Sequence, residues 1–156
     1  MNRRNALFTL LAVAGFLLAG RPSAAVETCD LDCLEKRLSE LKGKVVLVDF
    51  WATWCPPCKW EIPELARLRE KYQGQGFEVL GVSLDTRPDA VDRFLRKTPV
   101  PYPVVLGTRD VKRKYRVMAL PTTILLDRSG AVVERREGYV EGEVLEEAVR
   151  RLLGGP

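Results

Sequence analysis

The apolar run Val45-Val46-Leu47-Val48-Asp49-Phe50 leads directly into Trp54-Cys55-Pro56-Pro57-Cys58, and this junction constrains the chain more than any other feature. Six residues rich in β-branched side chains read as a buried strand, and the residues after Pro57 carry apolar side chains at helical spacing. Two thiols three residues apart, where a strand feeds a helix, make a dithiol that can open and close as a disulfide. Cys55 falls just ahead of the first helical turn, where unpaired N–H groups and the helix dipole favour a thiolate. Cys58 lies one turn further in, on the same face, so the Cys55 sulfur is expected to meet solvent and partners while the Cys58 sulfur waits behind it. Pro57 suits a helix opening, where its missing N–H has no partner to lose. Prolines at both intervening positions also remove two donors, so the expected lowering of the Cys55 pKa is moderate.

Around this junction the remaining elements alternate. Leu31 to Leu41 is helix-prone, and the helix after the dithiol runs from about Pro57 to Tyr72, with Ile62, Leu65, Leu68 and Tyr72 in register, ending at Gly74 and Gly76. Phe77 to Leu84 reads as a second parallel strand, and Asp89 to Arg96 as a helix capped near Asp89. Thr98-Pro99-Val100-Pro101-Tyr102-Pro103 is a stiff loop before a short strand, Val104 to Leu106. Thr122 to Leu126 and Ala131 to Glu137 flank Asp127-Arg128-Ser129-Gly130, a hairpin signal. A helix from Glu141 to Leu153 closes the chain, its apolar face made by Val144, Leu145, Ala148, Val149 and Leu152. The pattern predicts an α/β fold, a central mixed β-sheet flanked by helices.

Length and charge narrow the class. A chain of 156 residues supports one domain with a hydrophobic core. Asn2-Arg3-Arg4-Asn5, the apolar stretch Leu7 to Leu18 and Ser23-Ala24-Ala25 before Val26 together read as a secretory signal over residues 1–25. The apolar stretch is short against the roughly 20 residues that span a bilayer, and a retained N-terminal anchor is the alternative. Without Arg3, Arg4 and Arg21 the 25 Lys and Arg become 22 against 21 Asp and Glu, near neutrality. The net charge of +4 therefore points to no nucleic acid, and to a membrane only through such an anchor. The basic cluster Arg109, Lys112, Arg113, Lys114, Arg116 reads as a solvated face near a helix. The chain has no histidine, which excludes His-based triads and haem ligation by His.

Val48 to Lys59, with Trp51-Ala52-Thr53-Trp54-Cys55-Pro56-Pro57-Cys58 at its centre, resembles the active-site segment of thioredoxins. Pro63 stands where thioredoxins kink the active-site helix, and Leu120-Pro121-Thr122-Thr123 looks like their cis-proline loop. Glu61 and the segment from Arg87 to Tyr115 are similar to extracytoplasmic thiol-disulfide oxidoreductases of the TlpA and ResA type. The resemblance covers about residues 40 to 153. It implies a thioredoxin-like domain over 44–156, preceded by an N-terminal segment, 26–43, that holds Cys29 and Cys33.

The resemblance also implies roles. Cys55 is the attacking thiolate, and Cys58 resolves the mixed disulfide. Asp49, matching a buried carboxylate of thioredoxins, and Glu61, one turn after Cys58, are the acids expected to handle the Cys58 proton. Burial raises a carboxyl pKa, and two close together push one higher still. Trp54, Pro56, Pro57, Leu120 and Pro121 are the expected client-binding residues, with Trp51 as core. The cofactor is the Cys55/Cys58 disulfide itself, with no metal. The expected partners are client proteins with disulfides or Cys-x-x-Cys motifs, apocytochrome c first, and a membrane-bound electron donor, in the periplasm or at the outer face of the cytoplasmic membrane.

Cys29 and Cys33 have no counterpart in the common pattern. A bridge between them fits an oxidising compartment, as a structural staple or as an accessory redox pair. On a single helical turn such a bridge would need adjusted geometry. Two rivals remain open. One is a disulfide-forming oxidase of the same fold, disfavoured by the lack of histidine between the cysteines. The other is a four-thiolate zinc module built from both pairs. A copper carrier of this fold usually adds an imidazole ligand, which this chain lacks.

Overall fold

The apolar run does become a strand buried along its whole length, β2 (Val45–Trp51), and the rest of the chain assembles around it. The structure, a computed structural model, describes residues 25–154; the expected signal over 1–25 lies, but for Ala25, outside the described residues. In chain order the elements are β1 (Glu27–Cys29), α1 (Leu31–Glu40), β2, α2 (Pro56–Tyr72), a 3-10 turn (Gln73–Gln75), β3 (Phe77–Ser83), α3 (Pro88–Lys97), β4 (Val104–Gly107), α4 (Arg109–Lys114), β5 (Thr122–Leu126), β6 (Val132–Glu137) and α5 (Gly142–Leu153). The six strands form one sheet in the order β1-β4-β3-β2-β5-β6. β1, β4, β3 and β2 run parallel, while β5 pairs antiparallel with both β2 and β6, which makes the sheet mixed.

Because side chains alternate along a strand, β2 feeds two cores. Val46, Val48 and Phe50 meet Leu34 of α1 and Val111 of α4 on one face. Val45 and Leu47 meet Leu65 and Leu68 of α2 and Leu145 and Val149 of α5 on the other. A fully buried Leu such as Leu65 or Leu68 contributes about 2 kcal/mol through area removed from water. At the carboxyl end of β2 the second face continues into a third cluster of Trp51, Ile62 and Val91 that also encloses Cys55 and Cys58.

Two elements lie outside the sequence reading. β1 pairs in parallel with β4, Cys29 opposite Gly107, so the segment 26–43 is built into the same sheet. The basic cluster of residues 109–116 contains a short helix, α4, whose Val111 is buried while its cations face out. Helix α3 begins at Pro88 after an N-cap at Arg87; Asp89 lies in its first turn and takes ion pairs from Arg87 at 2.6 Å and Arg93 at 2.5 Å. The hairpin turn forms as expected. Gly130 adopts φ of 87°, and Asp127 accepts hydrogen bonds from the Ser129 amide and hydroxyl.

Candidate active site

Helix α2 starts where β2 ends, and its cap is a sulfur. Cys55 is the N-cap residue, with extended backbone, and its Sγ accepts from the Cys58 amide at 3.3 Å. Pro56 and Pro57 fill the first two helical positions, where no N–H is needed. Cys55 and Cys58 are joined as a disulfide. The loop ahead of them is braced by Asp85, just past β3. Its carboxylate accepts from the Thr53 amide at 2.8 Å, the Thr53 hydroxyl at 2.6 Å and the Ser83 hydroxyl at 2.7 Å. Sequence reasoning missed Asp85; an acid at the carboxyl end of a parallel strand, beside the site, was the available signal.

Cys55 is less open than its sequence position implies. It is 4% exposed and Cys58 1%, whereas Trp54 beside them is 67% exposed. The sulfurs are recessed because loops rise on both sides. A groove of about 400 Å³ runs between Trp54, Pro56 and Pro57 on one wall and Val117, Met118 and Leu120 on the other. Lys112 of α4 reaches the same groove, and Met118 is 86% exposed. Behind this wall the Leu120-Pro121 bond is cis, Pro121 is buried, and its carbonyl accepts from the Gly138 amide at 2.8 Å. Trp51 is core, as expected.

Both acids are buried between β2 and α2. Asp49 projects from β2 on the face that α2 covers, between Gly81 of β3 and Thr123 of β5. Glu61 belongs to the inward stripe of α2 with Cys58, Leu65 and Leu68, and is fully buried instead of forming a surface charge. None of their four carboxyl oxygens has a hydrogen-bond partner among the described residues. Burial pushes Glu61 up to about 7; the nearby Val140 amide pulls the other way, without a hydrogen bond of ordinary geometry. Asp49 is raised well above the usual carboxylate range, by burial first and by the charge of Glu61 second.

Cys29 and Cys33 close a second disulfide on the opposite face of the sheet, where Cys29 packs with Leu34, Val105 and Val111. They do not share a helical turn: Cys29 ends β1, Asp30 caps α1, and Cys33 lies in the first turn. The four thiols of the zinc reading therefore do not converge, each pair closing on itself in a different layer.

The AhpC/TSA family model matches residues 20–135. Thiol-disulfide oxidoreductase ResA of Bacillus thuringiensis is 31% identical over 134 residues, 85% of this chain and 78% of the relative. ResA of Bacillus subtilis is 38% identical over 119 residues, covering 76% and 66%. The chain belongs to the AhpC/TSA family, among its ResA-type thiol-disulfide oxidoreductases. A solved thiol:disulfide interchange protein of the DsbE type from Chlorobium tepidum shares the fold with a TM-score of 0.72 and 35% identity, covering 75% of this chain and 85% of that one. StoA from Bacillus subtilis does so at 0.61 and 26%, covering 68% and 82%. This ResA-type chain thus has a thioredoxin-like α/β fold and is an enzyme of thiol-disulfide exchange.

Proposed function

We propose that this enzyme works as a reductase of disulfides in exported client proteins, with Cys55 as nucleophile and Cys58 as resolving thiol. The observation that carries this reading is the capping geometry. The Cys55 sulfur holds the place of a helix cap, facing the Cys58 amide and the positive end of α2, so the reduced site favours a thiolate at that atom. An extended client segment lies in the groove between Trp54-Pro56-Pro57 and Leu120-Pro121, which excludes water from one side of the exchange.

Two thiol exchanges then move two electrons. The Cys55 thiolate attacks one sulfur of the client disulfide; a Cys55–client bond forms, the client S–S bond breaks, and the second client sulfur leaves as a thiolate that takes a proton from water. Cys58 gives its proton to the Asp49 and Glu61 pair and attacks Cys55 Sγ, which breaks the Cys55–client bond. The client leaves with both sulfurs reduced, and the enzyme holds the Cys55–Cys58 disulfide. A membrane-bound thiol donor restores the dithiol, and no metal or organic cofactor enters. Apocytochrome c, whose thiols must be reduced before haem attachment, is the first client class, and the periplasm or the outer face of the cytoplasmic membrane is the place. A Cys-x-x-Cys motif suits a resolving mechanism, since attack by Cys55 frees one client thiol and resolution by Cys58 frees the other.

A Cys58→Ser variant tests the assignment directly. It is expected to accumulate a mixed disulfide through Cys55 with a Cys-x-x-Cys peptide, while the parent reduces the same peptide. A reduction potential near the roughly −120 mV of strong oxidants, with no peptide reduced, would reverse the direction.

A further inference from the structure

The carboxyl pair has a third polar neighbour that exchange chemistry alone does not require. Tyr102 comes from the proline loop before β4, is 6% exposed, and its hydroxyl has no hydrogen-bond partner among the described residues. Its place is fixed from three sides. Pro101 and Pro103 flank it, Arg69 of α2 donates to the Pro101 carbonyl at 2.8 Å, and the Gly81 amide donates to the Pro103 carbonyl at 2.9 Å.

Gly81 makes room for the ring. A Cβ at this position would lie 3.2 Å from Tyr102 Cε2 and 3.3 Å from Trp51 Nε1, so a side chain here would press on both. A glycine inside a strand marks such a close approach. Gly81 is also the residue paired with Asp49 across β2 and β3. The Tyr102 ring and the Trp51 indole therefore lie over the strand position next to Asp49, and both carry an unpartnered buried polar atom. A phenylalanine would fill the same space. Burying a hydroxyl that packing does not need is costly unless the group has a polar task.

Asp49 from β2 and Glu61 from α2 are the charged groups whose fields reach the phenol. The cation of the neighbourhood, Arg69, is paired with Glu78. Burial, then the two carboxyls, hold the phenol protonated far above neutrality, so toward an ionised carboxylate it acts as a donor.

We propose that Tyr102 is a positioning residue of the redox site: its hydroxyl donates, across one internal water, to the ionised member of the Asp49 and Glu61 pair, and thereby sets the pH at which the pair can take the Cys58 proton. The proton ledger is unchanged by Tyr102, which keeps its own proton throughout. A hydrogen bond to the charged form favours that form. Without it the pair ionises at higher pH, and Cys58 is deprotonated less readily below that point.

This inference rests on the role of the acid pair proposed above, and the test separates the two. Cys55 is loaded with thionitrobenzoate, and its displacement by Cys58 is followed by stopped flow across the acid-to-alkaline range. Tyr102→Phe is expected to shift the profile alkaline by about one pH unit, with resolution about tenfold slower on the acid side, the effect of one hydrogen bond to a charged group. The infrared carbonyl stretch of the protonated carboxyls is expected to move in the same variant, while its thermal unfolding at acid pH, where the pair is protonated, stays that of the parent. A profile and stretch superimposable on the parent would overturn the Tyr102 proposal alone, provided Glu61→Gln and Asp49→Asn do change the profile. Should neither acid variant change it, the acid-pair reading and the Tyr102 proposal fall together.

Discussion

Cys29–Cys33 and Cys55–Cys58 close in equivalent places. Each joins the approach to a helix with the third residue of that helix. In each, the amide of that third residue is capped. At α1 the cap is Asp30, whose carboxylate accepts from the Cys33 amide at 2.9 Å. At α2 the cap is the Cys55 sulfur itself. The surroundings differ in the same sense: Cys29 is sealed in an apolar core, while Cys58 shares its helix face with a buried glutamate. In the first junction a fixed carboxylate uses the cap site, so the helix dipole has nothing to offer a thiolate. In the second the cap site and the proposed nucleophile coincide. Disulfide chemistry is available to both pairs, and placement of the cap and of an acid separates them.

The largest effect expected from breaking this contrast lies at Glu61. Glu61→Gln removes the acid from the second junction, and the resolving step is expected to slow on the order of 10²-fold, the lower end for a lost general base. The proposed attack of Cys55 on a client is expected to be unaffected. In the parent the resolving rate is expected to rise as pH passes through about 7, to which burial raises Glu61. Stability carries the opposite sign. A carboxyl raised in the folded state binds its proton more tightly there than in the unfolded chain, so stability falls as pH rises from about 4.5 to about 7 and stays low above. The gap corresponds to about 3 kcal/mol at most. Denaturant unfolding at acid and alkaline pH is expected to show this loss in the parent and a flatter profile in the Gln variant; an unchanged slope would sink the assignment.

Next in size is the first junction. Cys29→Ser with Cys33→Ser is expected to lower stability by about 2 kcal/mol, the value for a very short loop. Disulfide reduction by the Cys55 and Cys58 site should continue at the parent rate. Peptide-reduction kinetics together with unfolding curves check both halves. A parallel fall in turnover would mean that the second disulfide takes part in electron transfer and that the two junctions are not distinct.

The reactive junction was the more legible of the two. The strand 45–50, the stripe of Cys58, Leu65, Leu68 and Tyr72, and the hairpin around Gly130 all carry their periodicity or turn chemistry locally. Glu61 falls on that stripe, three residues after Cys58, so its burial was readable from spacing. β1 was not, since three residues with two exposed carry no pattern, and their partner strand is distant in sequence. α4 was hidden because its buried surface comes down to Val111 among cations. Tyr102 was read only as part of a stiff loop. Its relation to Asp49 depends on the register of β2 with β3 and on Gly81, and neither is visible along the chain. Cys55 looked open because the far wall of its groove comes from residues 117–120, distant in sequence.

The smallest effect tests whether the first junction behaves as a unit. Asp30→Ala removes the cap from the Cys33 amide and is expected to cost about 1 kcal/mol. Cap and disulfide restrain the same turn, so the loss should be smaller when Cys29 and Cys33 are already serines, and a double-mutant cycle by chemical denaturation measures the difference. Coupling is expected because the cap fixes the backbone that brings Cys33 back to Cys29. A coupling of zero would show that cap and sulfur act separately at α1. The merging of both roles in the Cys55 sulfur would then owe nothing to junction geometry and would have to be explained by the chemistry at α2 alone.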